Sequence, residues 1–221
     1  MICHAPLLHA EGGVSYLIHT THAAFGAALM ETILVSEHAP VTWQAAAAIA
    51  AAFIVAPFPD IDQPESWVSR HVPLGSVVSM FIRHRTLTHS LAVTVALYLV
   101  LFDMGFYVPT WLATGIVVGW TSHWLIDLLN PMGVQLFYPL PIWVRPPIPW
   151  LAIGVESAGE AILRLLIQVY AVVLGASYGF LHLPGAVRET GRFMLPYASR
   201  LVEAVSLPWL ADACRWLHLT A

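Results

Sequence analysis

Apolar residues run through this chain in long blocks, and polar residues collect in the gaps between them. AAFGAALMETILV, residues 23–35, is followed after a turn at Ser36–Pro40 by an alanine-rich block from Val41 to Ala56. Neither block alternates as a strand would, and both are long enough for helices. Thr20 and Thr21 are good cap residues, so the first helix is expected from there to about Val35, with His22 in its first turn. A third block, LAVTVALYLV at residues 91–100, predicts a helix from a Thr88 cap to about Val108, with His89 in its first turn. Trp111 to Leu129 is a fourth, stopped by Asn130-Pro131-Met132-Gly133; its 19 residues just span a hydrocarbon core at ~1.5 Å per residue. A fifth is expected from about Val155 to His182.

The gaps differ in character. Residues 63–83 form a polar connection holding Arg70, His71 and Arg83, whereas FYPLPIWVRPPIPW at 137–150 suits an interfacial loop with its rings at headgroup level. Residues 1–18, with the breaker Glu11-Gly12-Gly13, are expected as a leader, 19–183 as a membrane-embedded domain, and 184–221 as an amphipathic tail broken at Pro196 and Pro208. The fold class expected is all-α: a polytopic membrane bundle of about five helices.

Composition sharpens this picture. Hydrophobic residues make up 58% of the 221 and charged ones 10%, with a mean hydropathy of +0.73, far from a soluble average. The lipid bilayer is therefore the expected surrounding. All nine basic residues are arginine, scattered rather than clustered, and the net charge is −4, so no nucleic-acid partner is expected. Cys3 and Cys214 cannot form a disulfide framework or a four-thiolate site. The start, Met1 to His9, lacks a basic region and a continuous apolar core, so insertion is expected to be directed by the spanning helices.

Four polar islands carry the candidate chemistry: His22; Asp60 and Asp62; His84, Arg85 and His89; His123 and Asp127. His123 and Asp127 are four residues apart and share a helix face. If the helices alternate direction, all four islands fall on the same side of the bilayer. Imidazole nitrogen with carboxylate oxygen is the donor set of zinc, manganese or iron. The donors suffice for one or two ions, zinc first among them, and two-ion sites suit in-line attack on an ester.

Thr21-His22 with Gly26, Pro59-Asp60-Ile61-Asp62, His84-Arg85 with Thr88-His89-Ser90, and Ser122-His123 with Leu125, Asp127 and Gly133 occur in this order. In this the chain resembles the LexA-binding, inner-membrane-associated hydrolases, also called YdjM-like membrane-bound metal-dependent hydrolases, over about residues 20–165. The resemblance implies a metal-dependent hydrolase of the bacterial inner membrane, and brings in Glu156 or Glu160, following Arg145, as a further element.

The expected function is hydrolysis of a phosphoester or other ester of a lipid or membrane-surface substrate. His22, Asp60, His84, His89, His123 and Asp127 are the expected ligands, with Asp62 a ligand or a support for one. Arg85 would steady developing negative charge, and Glu156 or Glu160 would act as general base. Trp120 and Trp124 could wall the site against water. The competing class is a non-enzymatic metal-binding protein, a transporter or an assembly factor; polar residues at helix ends rather than mid-helix favour the hydrolase. An intramembrane metalloprotease ranks lower, because no HExxH helix is present. Arg70, Arg83, Arg85 and Arg145 in connections on the site side favour a cytoplasmic site, although the tail adds four arginines elsewhere. Protein partners are not indicated.

Overall fold

The computed structural model describes residues 15–73, 75–104, 107–147, 152–154 and 157–182, and every regular element among them is helical. In chain order these are α1 (Ser15–Ser36), α2 (Trp43–Val55), α3 (Trp67–His71), α4 (Gly75–Phe81), α5 (Leu91–Phe102), α6 (Thr110–Asp127) and α7 (Ala158–Leu181). Two 3₁₀ turns, Phe58–Asp62 and Leu87–His89, precede α3 and α5 respectively. The five longer helices are the expected all-α bundle.

Cross-contacts give the directions. Thr21 bonds Glu160, Thr32 bonds Tyr170 and Tyr178 bonds the Ala39 carbonyl, so α1 and α7 run parallel. Gly115 lies on Ala48 and Gly119 on Ala52, so α2 and α6 are also parallel, and both run toward the turn at Phe58–Asp62. Small residues make this pairing possible. A Cβ on Gly115 would meet the Ala48 carbonyl oxygen at 2.5 Å, and one on Gly119 the Ala52 oxygen at 2.7 Å. On α1, a Cβ at Gly26 would meet the Ala56 Cβ at 2.7 Å. Such close backbone approach is how helices associate where lipid removes the hydrophobic drive.

Among the described residues two stretches are long and apolar enough to cross a membrane, Trp43–Asp62 and Ala158–Gly179. On α7 the side chains of Ile162, Leu165, Val169, Val172 and Val173 are all exposed, an apolar face that suits hydrocarbon rather than water.

Several boundaries differ from those the sequence pattern predicts. Helix α1 begins at Ser15, inside the expected leader, so His22 lies about two turns along it, and Thr21 bonds Glu160 instead of capping. Helix α5 starts at Leu91, capped by Ser90, and ends at Phe102. The Thr88 hydroxyl is committed to Asp62, so His89 occupies a 3₁₀ turn instead of the first turn of a helix. The polar connection 63–83 contains α3 and α4, and the aromatic loop is pinned by pairing of Val134 with Val144. Most of the expected leader and all of the tail from residue 184 lie outside the described residues.

The Gly119 contact predicts a measurable contrast. Gly119→Ala should destabilise the bundle by about 1–3 kcal/mol through overpacking against backbone. Gly179→Ala, with nothing among the described residues within 4 Å of the added Cβ, should stabilise it slightly through helix propensity. Thermal unfolding in detergent reads both; equal midpoints for the two variants would contradict the close α2–α6 approach.

Candidate metal centre

The polar islands meet at the end of the bundle toward which α2 and α6 run. Asp60 and Asp62 come from the 3₁₀ turn after α2, His84 and Arg85 from the loop after α4, and His89 from the turn before α5. His123 and Asp127 come from the last turns of α6, and His22 from α1. His89 and His123 have no solvent exposure. The rings of His22 and His123 stack at 3.8 Å between centroids.

The donor atoms face one another. His89 Nε2 lies 2.9 Å from His123 Nε2, 3.3 Å from Asp127 Oδ2 and 3.8 Å from Asp60 Oδ1. His123 Nε2 is 3.3 Å from Asp60 Oδ1 and 3.8 Å from Asp127 Oδ2, and His22 Nε2 is 3.7 Å from Asp127 Oδ1. Ligand bonds of 2.0–2.2 Å in a tetrahedron set donors roughly 3.3–3.6 Å apart. The observed spacings straddle that value. Three overlapping triads arise: His22, His123 and Asp127; Asp60, His89 and His123; Asp60, Asp62 and His84.

The surroundings aim the imidazoles. His123 Nδ1–H donates to the Ala56 carbonyl at 2.7 Å, which leaves Nε2 for the centre. His89 Nδ1–H donates to the Thr88 hydroxyl at 2.9 Å, and that hydroxyl donates to Asp62 Oδ2. His84 Nδ1–H donates to Asp62 Oδ1 at 2.8 Å. Partners of this kind, on the far nitrogen, are what orient metal-binding histidines. Asp62 also accepts the Arg85 backbone N–H at 3.2 Å, so both its oxygens are taken. Of the two roles open to Asp62, this geometry favours support, although it also lies within reach of the third triad.

The fit to a cation shows in what is left over. Among the described residues Asp127 Oδ2 is buried without a hydrogen-bond partner, with Arg85 Nε, equally unpartnered, 3.4 Å away, and an orphaned buried acceptor is rare unless something polar is to be held. Burial alone would lower the His89 pKa, but bonding to the Asp127 and Asp62 carboxylates outweighs it and holds the value at about 9. A proton on His89 thus balances the carboxylates, and a metal ion would displace it.

Arg85 is buried in the left-handed region at φ 64°, a conformation costing a non-glycine residue about 1–2 kcal/mol. Its N–H bond to Asp62 and the Gln135 N–H bond to its carbonyl hold it there. The turn brings its Nε to 3.4 Å from Asp127 Oδ2.

Glu160 is buried and accepts the Thr21 hydroxyl at 2.9 Å; its backbone N–H is capped by Ser157. It shares a cavity of about 40 Å³ with His22, Asp127 and Asn130, room enough for a water. Glu156 lies outside the described residues. The Trp120 indole donates to the Thr88 carbonyl and that of Trp124 to the Thr94 hydroxyl, each at 3.1 Å, so both brace α6 against the His89 segment. Thr88 and the Ala56 carbonyl are functional groups that sequence reasoning misses. Thr88 stands inside the motif but looks like a cap, and a backbone carbonyl leaves no sequence signal.

A helical membrane chain with four histidines and three aspartates gathered at one end of its bundle is the class that this architecture defines. Residues 17–186 match the family described as YdjM inner membrane protein, and the chain belongs to that family. It is 32% identical over 104 residues to the inner membrane protein YdjM of Escherichia coli (strain K12), and equally to that of Shigella flexneri. That alignment covers 45% of this chain and 53% of the relative. It is 35% identical over 92 residues to the uncharacterized protein YvsG of Bacillus subtilis (strain 168), covering 41% of this chain and 56% of YvsG. The chain thus spans about half the length of the curated relatives it matches. No solved structure matches it.

Proposed function

We propose that this chain is a metal-dependent hydrolase of an ester carried by a lipid or presented at the membrane surface, a phosphoester first among the candidates. The observation that carries this reading is the ligand-like spacing of the His89 and His123 Nε2 atoms and the Asp60 and Asp127 oxygens. His22, Asp60, His89, His123 and Asp127 would hold the ion, zinc by donor chemistry or else manganese or iron. A second ion at the outlying triad of Asp60, Asp62 and His84 would require Asp62 to exchange its hydrogen bond from His84 for a bond to the metal. A divalent ion there would supply Lewis acidity and lower the pKa of bound water toward neutrality.

The chain's own groups divide the remaining work. Glu160, across the small cavity from His22 and Asp127, is placed to accept a proton from water. The Arg85 guanidinium cannot ligate a cation; beside Asp127 it is placed to hold an anionic ester oxygen, for which its planar fork is suited. The strained turn that faces it inward is a feature found at functional sites.

One variant series tests these roles through metal content and turnover together, on a panel of chromogenic phosphoesters and carboxylic esters. His123→Ala should lose metal and activity alike. Asp62→Asn should weaken metal affinity about 10–100-fold, as for loss of a group that orients a ligand. Arg85→Ala should keep its metal while activity falls by about 10²–10³. An Arg85→Ala protein with full hydrolytic activity, or one that loses its metal, would overturn the catalytic reading and favour a structural metal site.

The chain is further proposed to cross the membrane several times with its site on the cytoplasmic side. Arg70, Arg83 and Arg145 are exposed at that end of the bundle, in keeping with the positive-inside bias. Met80, 79% exposed on α4, serves as a reporter. Met80→Cys, with Cys3 and Cys214 replaced by serine, should resist impermeant thiol reagents in intact cells; labelling from outside would reverse the orientation.

A further inference from the structure

A second cavity, of about 260 Å³, lies in the seam between α1 and α7. Phe25, Leu29, Leu166 and Ile167 line it, and its polar groups are the Thr32 and Tyr170 hydroxyls, bonded to each other at 2.9 Å. It begins one helical turn beyond the Glu160 cavity. On α7, Leu163 lines the first cavity and Leu166 the second; on α1, His22 lines the first and Phe25 the second. Because α1 and α7 run parallel, both walls lead away from the polar cluster in step.

The groove has an end. Its lining on α1 runs from Phe25 to Thr32, roughly 10 Å, and its far end at Thr32 and Tyr170 stands ten residues past His22 and Glu160 respectively, about 15 Å at 1.5 Å per residue. That is half of a hydrocarbon core of ~30 Å, the depth of one leaflet. Past Tyr170 the seam is filled: Val35 packs with Leu174, and the Glu31 carboxylate lies against Gly175. Its outer wall is open, with Leu166 60% exposed, and is continuous with the apolar face of Ile162, Leu165 and Val169. A helix, about 10–12 Å across with its side chains, needs several times the roughly 260 Å³ available over the length of that lining, whereas an extended hydrocarbon chain is far slimmer.

We infer that the α1–α7 groove seats one acyl chain of a bilayer lipid and so brings the polar end of that lipid to the His22–Asp127–Glu160 end of the seam. Binding in the groove stands apart from the hydrolase reading; only the fate of the bound lipid rests on it, and there the groove narrows the substrate class to a lipid with an acyl chain.

The test uses the full chain in vesicles of phosphatidylethanolamine and phosphatidylglycerol, doped with a phosphatidylglycerol bearing a diazirine at a set depth in one acyl chain. After irradiation, mass spectrometry maps the adducts. A diazirine near the carboxyl end should label around Phe25 and Leu163, and one near the methyl end around Thr32 and Tyr170. Leu166→Trp, at an exposed position where folding is safe, should lose the groove adducts and keep those at lipid-facing Val172. Tyr170→Ala should shift the methyl-end adducts toward Leu174. Adducts at Thr32 no stronger than those at Val172, or unchanged by Leu166→Trp, would overturn the inference. Chelator-treated protein should label identically, so a chain that labels in the groove yet hydrolyses nothing refutes the proposed function alone. A chain that hydrolyses without groove labelling refutes the groove alone.

Discussion

Three carboxylates and four imidazoles, most of them buried, crowd within a few ångströms of one another in a chain that is otherwise mostly hydrocarbon-like. Removing such groups from water is costly unless each finds a strong partner. Part of the compensation is internal: Asp62 gathers three donors, and His123 is satisfied by the Ala56 carbonyl. The inward-facing atoms are satisfied less fully. Without a metal ion a proton on His89 has to bridge the two Nε2 atoms at 2.9 Å. Asp127 Oδ2 has no hydrogen-bond partner among the described residues, with His89 Nε2 at 3.3 Å and Arg85 Nε at 3.4 Å. A cation at their focus would satisfy them together, which is the reading proposed above.

The packing serves the same requirement. Asp60 and Asp127 end segments that run parallel, and they meet because α2 and α6 approach to backbone contact along Ala48, Ala52, Gly115 and Gly119. The approach also sets the Ala56 carbonyl against His123 Nδ1. A wider separation of the two helices would remove a support and move a donor at the same time. Small residues on α2 and α6 therefore act on the site at a distance, through the position of the helix ends.

Much of this is legible in the sequence because lipid simplifies the code. Polar residues are costly in apolar blocks, so His22, Asp60, His89, His123 and Asp127 stand out singly, and alternating helix direction is enough to bring them to one end. The finer structure is not legible, for a local reason: Thr88 and Ser90 are both competent caps, and only the Asp62 carboxylate, 26 residues from Thr88, decides between them. The left-handed turn at Arg85 is equally hidden, because it is held by Asp62 and Gln135 and not by a glycine. The start of α1 is masked since Thr20 and Thr21 look like caps, whereas Thr21 serves Glu160, 139 residues away along the chain.

The most direct measurement is X-ray absorption at the metal edge of the purified full-length chain, with metal content determined on the same sample. The account predicts at least one equivalent of zinc, manganese or iron, and a first shell of nitrogen and oxygen only, at about 2.0–2.2 Å for zinc, with the outer scattering of imidazole rings. Protein that takes up no metal, or a shell containing sulfur at about 2.3 Å, would contradict it.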